Sequence, residues 1–218
     1  MQKVTDGRLA RGEARRELLL DAAVGIVGEQ GLGALTHRAV AASAAVSLAS
    51  VTYHYPSADD LRQATFEHAG SRIGLEFLEL VTRAAEEPDA LPDICGDFTA
   101  RLVTQRRIDT IAVFEMILAA GHDSELEPVK RLLELRLARL LAPYVGSDEA
   151  AFTVTAALQG LVLTALSPDR ARDPGRLRDA VSDLIRRYRA IPAPGGPVPP
   201  HVAAPTAGEA LWNRSSPR

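Results

Sequence analysis

The sequence predicts an all-α protein, with a three-helix head at the N-terminus and a larger helical body, about nine helices together. Three observations carry this. Apolar residues make up 46% of the 218 residues and aromatics only 5%, so the core is built from Ala, Leu and Val, and Ala and Leu favour helix. The β-branched and aromatic residues that favour strands are mostly scattered. Apolar residues recur instead at three- and four-residue steps, first at Leu19, Ala22, Ala23, Ile26 and Val27.

The first helix is expected over Glu13 to Gln30, closed by Gly31, with Gly33 in the turn beyond. Thr36 is a natural N-cap for a short second helix, Arg38 to Ala44. After a turn at Ala45-Val46, Ser47 caps a third helix that ends near Tyr55, before Pro56. A fourth begins at Ser57, with Asp59 and Asp60 at its positive end, and runs to about Arg83 with a bend at Gly70 or Gly74. Four or five more follow, punctuated by Pro88, Pro92, Gly121, Pro143 to Gly146 and Pro168 to Pro174. The last, Arg176 to Arg189, carries a stripe of Leu177, Val181, Leu184, Ile185 and Tyr188. Residues 191–218 are rich in Pro, Gly, Ala and Ser without periodicity, which reads as a disordered tail around Trp212. The expected division is a flexible basic arm over 1–12, a helix-turn-helix head over 13–58, a body over 59–190 and the tail over 191–218.

Net charge is −3, so bulk electrostatics do not make the whole molecule a polyanion binder. The local pattern differs. No acid occurs from Gln30 to Ala58, a stretch holding His37, Arg38 and His54. Before it, Met1 to Arg16 has five basic residues against two acids. A surface cleared of carboxylates is what meeting phosphates requires. Cys95 is the single cysteine, which excludes an intramolecular disulfide and suits a reducing cytosol, so the expected location is cytoplasmic. The uncharged stretch Ala150 to Pro168 is short for a bilayer and interrupted by Thr, Gln and Gly, so no membrane span is expected.

Two short helices joined by a tight turn match a helix-turn-helix. Val40, Ala44, Val46, Val51 and His54 take the inward positions, and Ala41 is small where the helices cross. Ser47, Ser50, Thr52 and Tyr53 point outward. With these residues in register, the chain resembles the tetracycline-repressor (TetR) family of bacterial regulators. The resemblance lies in RRELLLDAAVGIVGEQG followed by LTHRAVAASAAVSLASVTYHYPSADDL, about the first quarter of the chain. It departs from the family at Ala45 and Ala49, where Gly is usual, at Ala58, where Lys is usual, and at Thr52, where Tyr is common. Ala45 implies either a reshaped turn or left-handed strain.

The resemblance implies a homodimeric regulator of transcription, a repressor released from a palindromic operator in double-stranded DNA by a small-molecule inducer. It implies that Thr36 and the first amides of helix two hold a phosphate, and that Arg38 and Tyr53 hold backbone or base edge. Ser47, Ser50 and Thr52 would face bases. His37 and His54 complete the expected DNA-facing set, although packing behind the recognition helix is an equal role for His54. The inducer pocket would lie among the middle helices. Phe66, Phe77, Phe98, Phe114 and Met116 would line it, with His122, Thr155 and Gln159 to orient a largely apolar ligand, and core filling is the plainer role for each. Ala150 to Leu166 is apolar nearly all round, and a second subunit is its simplest cover. Leu161, Leu163, Leu184 and Tyr188 are the expected interface residues, since the family's last two helices form a four-helix bundle across the dimer twofold.

A helical enzyme is the competing class. His68, His122, Asp97 and Glu115 form no spacing that acid–base chemistry or a metal requires, and no phosphate loop or nucleophile elbow is present. No catalysis, cofactor or metal is expected. A ligand-independent architectural DNA-binding protein is a third reading, but one expected to be basic overall.

Overall fold

The computed structural model describes the backbone of residues 2–167 and 173–189, with side chains from Gly12 onward. The expected tail over 191–218, Trp212 included, lies outside the described residues. Nine α-helices and no strand occur among those described: α1 (Gln2–Gln30), α2 (His37–Ser43), α3 (Leu48–His54), α4 (Ala58–Ala84), α5 (Leu91–Val103), α6 (Arg107–Ala119), α7 (Glu127–Val145), α8 (Asp148–Ala165) and α9 (Pro174–Tyr188). The all-α expectation holds.

Boundaries differ in three places. α1 starts at Gln2 rather than Glu13, so the backbone over 2–12, expected as an arm, continues the helix. Pro92 does not interrupt a helix but stands in the first turn of α5, where its missing N–H would have had no helical partner. Pro143 lies inside α7, which runs on for two more residues to Val145 before Gly146 (φ 88°) ends it.

The chain forms two compact units, Met1–Arg72 with Gln105–Leu133, and Ile73–Thr104 with the described residues from Glu134 on. α4 and α7 each contribute to both.

In the first unit the α1 stripe is buried at Leu19, Ala23, Ile26 and Val27, together with Leu61, Phe66 and Ala69 of α4 and Ala112 and Met116 of α6. α6 lies hard against α1. A Cβ on Gly28 would collide with the Ile108 carbonyl oxygen and come within 2.7 Å of its Cγ2, so only glycine permits this approach. Polar ties reinforce it. Asp21 of α1 accepts from His68 (2.9 Å) and Arg72 (2.7 Å) of α4, Arg72 also faces Asp109 of α6 at 3.6 Å, and Glu115 accepts from the Leu32 amide (3.4 Å).

In the second unit α5 and α9 run against each other. Gly96 makes room, since a Cβ there would meet Ser182 Oγ at 2.5 Å, and that hydroxyl donates to the Pro92 carbonyl at 3.0 Å. Pairs of Arg178 with Asp97 (2.5 Å), Arg186 with Asp93 (2.9 Å) and Arg189 with Asp89 (2.6 Å) edge the contact. Phe77 and Phe98 stack with centroids 5.1 Å apart. Cys95 of α5 is buried, and burial pushes its thiol up to about 12, which leaves it protonated and unreactive.

Candidate nucleic-acid interface

The helix-turn-helix is built by caps. Thr36 accepts from the Ala39 amide (3.1 Å) to start α2, and Ser47 accepts from the Ser50 amide (3.2 Å) to start α3. Between them the chain turns through a Schellman motif. The Val46 amide bonds the Ala41 carbonyl (2.9 Å) and the Ala45 amide bonds the Ala42 carbonyl (3.2 Å). The residue at the left-handed position is Ala45, φ 52°. Of the two possibilities the sequence left open there, the turn is kept and Ala45 bears the strain. Ser57 and Asp60 form a reciprocal capping box at the head of α4, each side chain bonding the other's amide at 3.0 Å. The Ser57 hydroxyl, which donates to the Asp60 carboxylate at 2.6 Å, and then the Ser57 amide hold that carboxyl below the usual carboxylate range.

Val40, Ala41 and Val51 are buried, while Ala44, Val46 and His54 are half-buried. Their burial leaves one continuous open face on α3, made of Leu48, Ala49, Thr52 and Tyr53, with Ser47 at its start. Tyr53 is 82% exposed. Ser50, expected on this face, is half-buried on the side of Val51. The reason is the helical step, which sets residues 50, 51 and 54 together and opposite 48, 49, 52 and 53.

Thr36 and Arg38 are exposed at the start of α2. His37 is half-buried, and its Nε2 donates to the Tyr55 carbonyl at 2.7 Å, fastening α2 to the end of α3. His54 stands edge-on to Tyr53, centroids 5.2 Å apart. Burial first, then the charges of Arg16 and Arg15, lower its pKa from 6.5, which favours the neutral ring. Those two arginines were read in the sequence only as part of a basic segment. Exposed on α1, they bring positive charge to the end of α3, with Arg16 beside the Tyr55 hydroxyl. Leu48 and Ala49 share the open face although neither is among the residues expected to point outward.

The candidate ligand residues are divided between the two units. Phe66 and Met116 are buried in the first with Phe114 half-buried, and His122 is exposed in the polar turn after α6. Phe77, Phe98, Thr155 and Gln159 belong to the second. There the Thr155 hydroxyl is buried with no hydrogen-bond partner among the described residues. α8 buries Ala151, Val154, Val162 and Ala165 and leaves open a stripe of Phe152 (62% exposed), Ala156, Gly160 and Leu163 (45%). Leu161 and Leu184 are half-buried and Tyr188 is exposed. Among the described residues no His, Cys, Asp and Glu group is arranged to hold a metal, and no helix is long and apolar enough to cross a membrane.

Residues 19–65 match the family described as bacterial regulatory proteins, tetR family, and residues 86–188 match the tetracyclin repressor-like C-terminal domain. The chain is 33% identical over 162 residues to the HTH-type transcriptional dual regulator CecR of Shigella flexneri, spanning 63% of this chain and 68% of that one. Among solved structures, a TetR-family member from Streptomyces coelicolor A3 is 30% identical with a TM-score of 0.66, covering 78% of this chain and 97% of that one. The multidrug binding protein EbrR complexed with ethidium is 31% identical with a TM-score of 0.57, covering 78% and 98%.

Proposed function

The chain belongs to the tetR family of bacterial transcriptional regulators, and from that membership we propose that it is a homodimeric repressor, released from a palindromic operator by a small molecule. The observation that carries the DNA-reading part is the open α3 face. It is continuous and free of acids, and it is flanked by the exposed Arg38, Arg15 and Arg16. In this reading Leu48, Ala49, Thr52 and Tyr53 enter the major groove, with Ser47 at the start of the helix. Thr36 and Arg38 hold the sugar-phosphate backbone on one side and Arg15 and Arg16 on the other. His37 supports this surface through Tyr55 rather than touching DNA. The site of action is the cytoplasm, and catalysis plays no part.

The α8 stripe supports the dimer. Phe152, Ala156, Gly160 and Leu163 recur at helical spacing, and the small residues allow close approach of a second copy. Leu184 and Tyr188 of α9 extend the same surface, and Leu161 borders it. Dimer symmetry then matches operator symmetry.

The ligand-responsive part rests on the second unit and on relatives such as EbrR, which is solved with bound ethidium. The stacked Phe77 and Phe98 offer an aromatic, apolar lining, and the unpaired Thr155 hydroxyl offers one polar anchor, with Gln159 a turn further along α8. A ligand acts only if it binds the DNA-free conformation more tightly. The experiment is a compound screen by thermal shift, followed by gel shift on operator DNA. Compounds that stabilise the protein are expected to release it from DNA. If every stabilising compound leaves the complex intact, the inducer part of the reading fails and a ligand-independent DNA-binding role replaces it.

A further inference from the structure

The open face of α3 holds no side chain able to make two hydrogen bonds to one base. The helix, Leu48–His54, contains no Arg, Lys, Asn or Gln. The bidentate pairings that single out guanine or adenine in the major groove are therefore closed to it. Its hydroxyls can make single bonds, which suit several bases, and that of Thr52 is already donated to the carbonyls of Leu48 and Ala49, both at 3.3 Å. What the face offers instead is carbon. Leu48 is 42% exposed in the first turn, the half of a recognition helix that meets base edges, and the Ala49 methyl lies beside it. A lone exposed Leu is ordinary on a protein surface. Here it stands where a DNA base would cover it.

Thymine is the base that presents a methyl group in the major groove. Building on the DNA-binding reading above, we infer that Leu48, with Ala49, packs on thymine C5-methyl groups, and that this contact sets the base preference of α3. The half-site is then defined by thymines at the Leu48 position more than by guanine, and Arg38, outside α3, joins Arg15 and Arg16 in serving phosphates.

The test starts from an operator obtained by selection on random duplex DNA with the full chain. Each thymine is then replaced by deoxyuridine, which lacks the methyl and keeps its base pairing. At one or two positions per half-site, affinity should fall about fourfold, the change for one methyl withdrawn from apolar contact. Leu48→Ala should bind the thymine operator more weakly and should not distinguish the two DNAs at those positions. Unchanged affinity at every deoxyuridine position overturns the methyl contact and leaves the regulator reading standing. A Leu48→Ala protein that still discriminates overturns Leu48 as the reader. If no sequence is selected at all, the DNA-binding reading fails and this inference with it. The deoxyuridine arm uses the wild-type protein, so it does not depend on any variant folding.

Discussion

The His37 ring donates to the carbonyl of Tyr55 across 2.7 Å, so the first turn of α2 is tied to the last residue after α3. This bond adds to the turn at Ala45 and to the buried Val40, Ala41 and Val51 in setting the angle at which α3 is presented. His37→Ala should lower stability by about 1 kcal/mol, the usual net worth of one such bond. In the proposed reading, where His37 supports α3 from behind, the substitution should also weaken DNA binding. Denaturant melts alongside gel shifts measure both, and unchanged values in both would mean that the bond does not position α3.

Ala45 sits at φ 52°, where a Cβ is strained. Ala45→Gly is expected to raise stability by about 1 kcal/mol, the left-handed cost relieved less the entropy glycine brings. The check is a shift of the urea midpoint at constant slope. A loss of stability would contradict the strained turn.

Gly28 and Gly25 make a matched pair on α1. A Cβ on Gly28 would strike Ile108, whereas one on Gly25 would meet nothing within 4 Å. Gly28→Ala should therefore cost about 1–3 kcal/mol by overpacking, while Gly25→Ala should stabilise by up to about 1 kcal/mol through helix propensity. Thermal melts of the two variants with opposite signs support the close α1–α6 approach, and equal signs contradict it.

Acid should weaken the head in two steps. His54 and Asp60 both have lowered pKa values in the fold. The unfolded chain therefore binds protons where the folded one does not, and stability is lost as pH falls. The loss from His54 sets in below its ordinary 6.5, and that from Asp60 below its ordinary 3.8. Melts of wild type and His54→Gln across this range should differ in slope on the upper step alone. A His54→Gln protein with the wild-type slope there would assign the step to another group.

A charge in the α8 stripe should split the proposed dimer. Phe152→Glu and Leu163→Glu replace exposed apolar groups of a single chain, so each subunit should keep its helicity while sedimentation shows monomers. Dimers that persist in both variants would place the interface elsewhere.

Much of this architecture was legible in the sequence because local rules wrote it. Thr36, Ser47 and Ser57 begin the helices they were expected to begin, and Leu19, Ala23, Ile26 and Val27 of the first stripe are buried as their spacing required. What the sequence did not show depends on neighbours distant in the chain. Gly28 looks like any helical glycine until Ile108, eighty residues on, arrives against it. His37 carries no sign in the sequence of its bond to the Tyr55 carbonyl, eighteen residues on. Ser50, expected outward, is half-buried because the burial of Val51 fixes the rotation of α3, and a seven-residue helix is too short for its own periodicity to do so.

The central claim is that the α3 face reads DNA, and operator binding by Tyr53→Ala and Arg38→Ala tests it most directly. Both residues are exposed on the first unit, so both variants should keep wild-type helicity and assembly. On an operator selected from random duplex DNA, wild type should bind with affinity that falls steeply as salt rises, and each variant should bind about tenfold more weakly. Affinity independent of salt, or wild-type binding by both variants, would contradict the claim.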